Sequence, residues 1–164
     1  MTSRASRIRI ALLGLWVGAA ALFSFVVAPA AFGVLPTTQL AGNLVSRVLG
    51  GVEIIGLIVG VVVLIVLVIE WIREKRTSVF EVIVCSLMTI SMALSRFVIS
   101  PRLHLLRAQY GDRMAALPAE DAARASFNLL HQVSVGLLSF SLFAGLAMLA
   151  VILWRDSRPG QSDA

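Results

Sequence analysis

Residues 52–69 read VEIIGLIVGVVVLIVLVI, and this stretch decides the fold. A helix needs about 20 largely apolar residues to cross about 30 Å of hydrocarbon at about 1.5 Å rise per residue. The block has nearly that length, contains a single ionisable group, Glu53, and stops at Glu70 and the interfacial aromatic Trp71. It reads as a membrane span. Working outward, the same test is passed upstream from about Ile10 to Ala28, and downstream from about Val79 to Ile99 and from about Val133 to Trp154. The last of these ends in Trp154-Arg155, an aromatic at headgroup level followed by a charge. The expected fold class is an all-α integral membrane protein of four transmembrane helices. Residues 1–155 form a single membrane domain, and residues 156–164, rich in Ser, Asp, Gly and Pro, a frayed tail.

Composition agrees. The chain is 59% hydrophobic and 14% charged, with a mean hydropathy of +0.92, whereas about a quarter of a soluble domain is charged. In 164 residues four spans leave no room for a separate soluble domain, so any site lies between helices or in the longer loop. The single Cys85 excludes an internal disulfide and a cysteine-only metal cage. The net charge of +5 is not a nucleic-acid signal, because the basic residues sit at span ends, where topology and anionic lipid account for them. Thirteen of the fourteen basic residues are arginine, a usage that suits a GC-rich bacterial genome.

The first and third spans end alike: Phe25-Val26-Val27-Ala28-Pro29 and Phe97-Val98-Ile99-Ser100-Pro101. Two related helix hairpins are one reading of this repeat, and chance is the other. The N-terminus resembles a signal peptide, with Arg4, Arg7 and Arg9 before an apolar run and the small-x-small sequence Ala28-Pro29-Ala30. The run exceeds an ordinary signal core, and its exit sequence recurs where no signal could be, so a retained span is expected.

With the N-terminus inside, the inner side collects Arg4, Arg7, Arg9, Arg73, Lys75, Arg76, Arg155 and Arg158. The outer side takes Arg47, Arg102, Arg107, Arg113 and Arg124, four of them spread thinly through the third loop. The expectation is both termini in the cytoplasm and a multi-pass protein of the bacterial inner membrane. Outside the second span, Thr37 and Thr38 are placed to cap a helix that carries Leu40, Leu44 and Val48 on one face. Pro118 with Glu120 and Asp121 marks the first turn of a helix that continues through the fourth span for about 37 residues, or about 55 Å. Gly111-Asp112 is the expected turn before it.

Ionisable groups inside a membrane are costly, so each is a candidate until a partner explains it. Glu53 and Arg96 fall at similar depth near the outer ends of spans two and three, and an ion pair between them is expected. His131, Ser134, Ser141 and Gly145 share one face of the fourth span. Lined by that face with Glu53 and Arg96, a polar crevice open to the outside is one arrangement, and hydrogen bonding between helices without a cavity is the other. Gly14 with Gly18, and Gly50, Gly56 and Gly60, form small-residue stripes expected to let neighbouring helices, or a second copy in a homo-oligomer, approach closely. His104 and His131 are the candidate metal ligands, and Cys85, Met88 and Met92 extend that thought to copper or haem. Cys85 lies about 28 Å along the helix from His104, which argues against one cluster. No cofactor and no catalytic residue are expected. The chain has no HExxH, nucleophile elbow, P-loop or dinucleotide-binding fingerprint, so an enzyme is not the reading.

These residues together resemble a family of small bacterial membrane proteins that carry a domain of unknown function and are related to vertebrate transmembrane protein 205. The likeness spans nearly the whole chain. It rests on Gly14-Leu15-Trp16-Val17-Gly18, on Phe25, Pro29 and Phe32, on Arg96-Phe97 with Pro101-Arg102 and Arg107, and on Arg124, Phe127, Leu130-His131 and Ser134. The family pattern has an asparagine a turn after that serine, where this chain has Leu138, so a role for that amide does not carry over. The resemblance implies four spans and leaves the activity open. A more distant likeness to copper-resistance membrane proteins is analogy alone. The expected function is a non-enzymatic membrane protein whose outer crevice binds a small polar solute, an ion or a lipid head group, or docks a partner. The competing class is a copper- or haem-handling protein.

Overall fold

The computed structural model describes residues 4–74, 78–118 and 120–157. Four helical stretches are long and apolar enough to cross a membrane: Arg4–Val34, Thr38–Arg73, Val79–Tyr110 and Ala122–Arg155. The first is α1 (Arg4–Leu22), a π-helical turn at Phe23–Val27 and α2 (Ala28–Val34); the second is α3 (Thr38–Glu74). The third repeats the first, with α4 (Val79–Leu94), a π-helical turn at Ser95–Ile99 and α5 (Ser100–Tyr110); the fourth is α6 (Ala122–Asp156). Each helix outruns the hydrocarbon stretch read from its sequence.

The two π turns explain why the exit sequences recur. A proline inside an α-helix has no N–H to donate, and its ring crowds the carbonyl four residues back. One wide turn just ahead of the ring absorbs both problems. Here the Ala28 N–H donates to the Phe23 carbonyl and the Ser100 N–H to the Ser95 carbonyl, each five residues back. Pro29 and Pro101 then follow at the same offset.

Lipid contact is evident in what is left uncovered. Leu15 is 70% exposed, Phe25 73%, Ile90 61% and Phe143 68%, an apolar belt that no soluble monomer of this size would present. The core between the helices is narrow. Leu13, Trp16 and Ala20 of α1 meet Val63 and Leu67 of α3, Cys85, Met88 and Met92 of α4, and Met148 of α6. Trp16 is fully buried, and its indole N–H donates to the Val52 carbonyl at 3.2 Å. That approach requires glycine on both sides. A Cβ at Gly56 would lie 2.5 Å from Trp16 Nε1, and one at Gly145 would lie 2.8 Å from Val17 Cγ2 and 3.2 Å from Trp16 Cζ3.

Several expectations are corrected here. Of the glycine stripes, Gly56 and Gly60 make the close approach expected of them, joined by Gly145, whereas a Cβ added at Gly14, Gly18 or Gly50 would meet nothing within 4 Å. The last helix begins at Ala122 rather than at Pro118. Asp121 is its N-cap, accepting from the Ala123 N–H at 2.8 Å and the Arg124 N–H at 3.4 Å, and Pro118 stays in the preceding turn. Gly111 does end α5, with φ of 53° that only glycine adopts freely, and a 3₁₀ turn at Gly111–Ala116 follows it. Thr37 caps α3 as expected, its hydroxyl accepting from the Leu40 N–H at 3.2 Å. Leu40 and Leu44 face outward, while Ala41 and Gly42 face the bundle. Lys75, Arg76 and the tail from 158 onward lie outside the described residues.

Candidate functional site

Two polar regions occupy opposite ends of the bundle. At the end that holds both described chain ends, Arg9 of α1 reaches Glu70 of α3 at 3.1 Å and Glu81 of α4 at 2.8 Å. Arg155 of α6 binds the other oxygen of Glu81. Two cations and two anions from four helices thus close a neutral clasp, with Arg9 8% and Glu81 1% exposed. The sequence alone marks Arg9 and Arg155 as topology residues and Glu70 as a span end, and it gives Glu81 no role. The signal is nonetheless present: each of the four stands at the same end of its own span.

At the other end a cavity of about 350 Å³ lies among the first π turn, α3, α5 and α6. Its loop-side half carries Ser46 of α3, Ser100, His104 and Arg107 of α5, and His131 and Ser134 of α6. Its deeper half is mainly apolar, with Phe23 and Phe25 from the π turn and Leu138, Leu142 and Phe143 from α6, interrupted by the hydroxyls of Ser24 and Ser139. The order follows from the chain itself: α6 enters the membrane with His131 and Ser134 first and its leucines after. The two faces of the site are therefore a polar head and a greasy floor.

Arg107 is the charge at the head. It donates to the Ser46 hydroxyl and holds its guanidinium carbon 5.4 Å from the centroid of the Phe127 ring, a cation–π distance. Phe127 in turn stacks on His131, with ring centroids 6.2 Å apart and planes 3° from parallel. A second cavity of about 360 Å³ adjoins on the loop side and shares Phe32, Arg107 and His131. Arg124 lines it and donates to the Leu117 carbonyl, which ties the start of α6 to the loop before it. Among the other residues singled out from the sequence, Phe97, Pro101 and Arg102 lie on the surface and do not line the cavity.

Glu53 and Arg96 are placed differently from expectation. The Glu53 carboxylate is 1% exposed and accepts from the Ser95 hydroxyl and, at 3.3 to 3.4 Å, from the Ser100 hydroxyl. Among the described residues no ion pair joins it to Arg96; the two serines hold it instead. They bracket the second π turn, so the buried acid is clamped to the bulge that Pro101 imposes. Glu53 sits one layer behind the cavity wall, reached through Ser100, which also lines the cavity. Arg96 makes no direct ion pair with Glu53 but lies near enough to act on it electrostatically, and it lines a groove on the far side of α3. Ser141 is fully buried but donates to the Leu137 carbonyl of its own helix at 2.8 Å.

His104 and His131 line one cavity. Among the described residues no group of three or more His, Cys, Asp and Glu side chains is placed to hold a metal ion. Cys85 lies in the bundle core, its thiol directed to the Gly60 carbonyl at 3.6 Å, and Met88 and Met92 are packed around Trp16 and its neighbours.

A family model described as a domain of unknown function (DUF4149) matches residues 11–112. The match takes in the first three membrane helices, more than half of the chain, and includes Trp16, Glu53, both π turns and Arg107. The chain belongs to this family. No curated protein and no solved structure matches it.

Proposed function

We propose that this member of the DUF4149 family is a non-enzymatic protein of the bacterial inner membrane, both termini cytoplasmic, that binds an amphipathic molecule with an acidic head in the outward-facing cavity. The observation that carries this reading is the division of the cavity into a guanidinium-bearing head and an apolar floor. Among the described residues the Arg107 guanidinium has no carboxylate partner. Supported by serine hydroxyls and a histidine, it is suited to a carboxylate or phosphate and not to a cation. The floor of phenylalanine and leucine disfavours a fully polar solute, because two hydroxyls, Ser24 and Ser139, replace only part of its lost hydration. Pocket volume and lining are those of small-ligand sites in general. The orientation rests on the sequence: the connections on the termini side hold eight basic residues, Arg4, Arg7, Arg9, Arg73, Lys75, Arg76, Arg155 and Arg158, against five on the other side, four of them diluted through the third loop. Nothing in the donor set favours the copper or haem alternative.

The test uses purified protein in detergent, with decanoate as the probe and decanol as its uncharged counterpart. Decanoate is expected to bind and decanol to bind at least tenfold more weakly, and Arg107→Ala is expected to cost about tenfold in decanoate affinity, the worth of one charge-assisted hydrogen bond. Equal binding of acid and alcohol, or an unchanged affinity in the variant, overturns the reading.

A further inference from the structure

On the opposite side of α3 from the cavity, α3 and the third membrane helix diverge and leave an open groove of about 780 Å³. Its floor is made of small residues. Gly50 and Gly51 of α3 have nothing within 4 Å of an added Cβ, and Ser46 and Ser100 complete the surface between the helices. Two cations stand on it, Arg47 from α3 and Arg96 from the second π turn, and His104 of α5 stands beside them. Among the described residues neither arginine has an ion-pair partner; Glu53, which acts on Arg96 electrostatically, is buried and held by the Ser95 and Ser100 hydroxyls. The rim is apolar: Leu40, Leu44 and Ile54 are 50%, 44% and 43% exposed and face the surroundings of the bundle.

We infer that this groove is a binding site for the phosphate head of an anionic phospholipid. Arg47 lies five residues before the apolar block that begins at Val52, and Arg96 three before the end of the π turn at Ile99, so both stand where hydrocarbon gives way to head groups. Two guanidiniums lining one groove from different helices suit a phosphodiester better than a single ammonium would. The exposed leucines and isoleucine beside them offer the acyl chains a continuous apolar path. Two positive charges against one phosphate favour a lipid with net negative charge over a zwitterionic one, whose choline or ethanolamine would bring a third cation into the groove. The groove adjoins the cavity, with which it shares Ser46, Ser100 and His104, but its two arginines do not line the cavity, so variants at Arg47 and Arg96 address the groove alone.

Native mass spectrometry of the delipidated full chain in detergent tests this with three probes: dioleoylphosphatidylglycerol, dioleoylphosphatidylcholine and inorganic phosphate. The phosphatidylglycerol adduct is expected to exceed the phosphatidylcholine adduct severalfold, and Arg47→Gln or Arg96→Gln to lower it about tenfold each. Arg113→Gln, an exposed arginine away from the groove, is expected to change nothing. Gly50→Leu fills the floor with both charges intact and is expected to lower the adduct as well, which separates a built site from general attraction of lipid to basic residues. Arg47 is exposed, so its variant folds and decides the matter even if Arg96→Gln does not. Equal adducts for the two lipids, or retention in Arg47→Gln and Gly50→Leu, overturns the proposal. Binding of inorganic phosphate with no preference for phosphatidylglycerol also overturns it, and makes the groove a free-phosphate site.

Discussion

Glu53 shows what a single buried charge reveals in a sequence and what it conceals. Its cost in a membrane singles it out and demands a partner, but partner choice depends on which side chains the helix turns toward it. Arg96 is adjacent in sequence to the true partner, Ser95, and the π turn rotates the guanidinium outward while aiming two hydroxyls at the carboxylate. A charge exchange, Glu53→Arg with Arg96→Glu, is therefore expected to rescue nothing. Thermal unfolding in detergent of Glu53→Gln, Ser100→Ala and the double variant is expected to show non-additive losses, with a coupling of about 0.5 to 3 kcal/mol. Additive losses would mean that the serine does not hold the acid. Glycines divide by the same criterion of what they face. Gly56→Ala is expected to cost about 1 to 3 kcal/mol because Trp16 has no room to retreat, whereas Gly14→Ala, in open space, is expected to be neutral or slightly stabilising. Unfolding midpoints of the pair decide this, and equal losses would contradict it.

Helix number and approximate extent are legible from apolar run length, since a bilayer imposes a length that no tertiary contact overrides. The repeated exit sequence is legible as a repeat, but its meaning as a pair of π turns is not, because a widened turn leaves no compositional mark beyond the proline it accommodates. That same feature places the cavity wall, so the site is only partly readable: His131 and Ser134 follow from α6 periodicity, while Phe23, Phe25, Ser46 and Ser100 depend on how two irregular helices pack. The start of α6 falls four residues after Pro118 for a related reason. Both Pro118 and Asp121 are good helix-start residues, and the choice between N1 proline and N-cap aspartate is made by the loop that precedes them. Asp121→Ala is expected to destabilise by about 1 kcal/mol, the usual cost of an N-cap, with a correspondingly lower unfolding midpoint. Pro118→Ala, outside the helix, is expected to have less effect; the reverse order would return the helix start to Pro118.

The bundle as a unit is closed at one end and open at the other. Helices that share lipid on their outer faces gain little from hydrophobic burial against one another, so their register is set by close packing and by polar contacts. Trp16, wedged between Gly56 and Gly145, supplies the packing near the middle. The clasp of Arg9, Glu70, Glu81 and Arg155 supplies the polar contacts at the termini end, and the far end is left free to hold cavities. Span by span the clasp is invisible, because each member looks like an ordinary boundary charge until the four spans are aligned side by side. Its wiring predicts an order of mutational effects. Glu81 is bonded to both arginines, so Glu81→Gln removes the anion that two cations share and is expected to be the most damaging, at about 3 kcal/mol or more. Arg9→Met leaves Glu81 with Arg155 and should cost less, even though Arg9 is itself buried. Arg155→Met should cost least, because Glu81 keeps Arg9 at 2.8 Å and the Arg155 side chain is 44% exposed, where water already screens it. Unfolding of the three variants in detergent measures the order directly. Should Arg155→Met prove as costly as Glu81→Gln, the clasp is held chiefly by its exposed member, and the buried Arg9 contact contributes little to joining the helices.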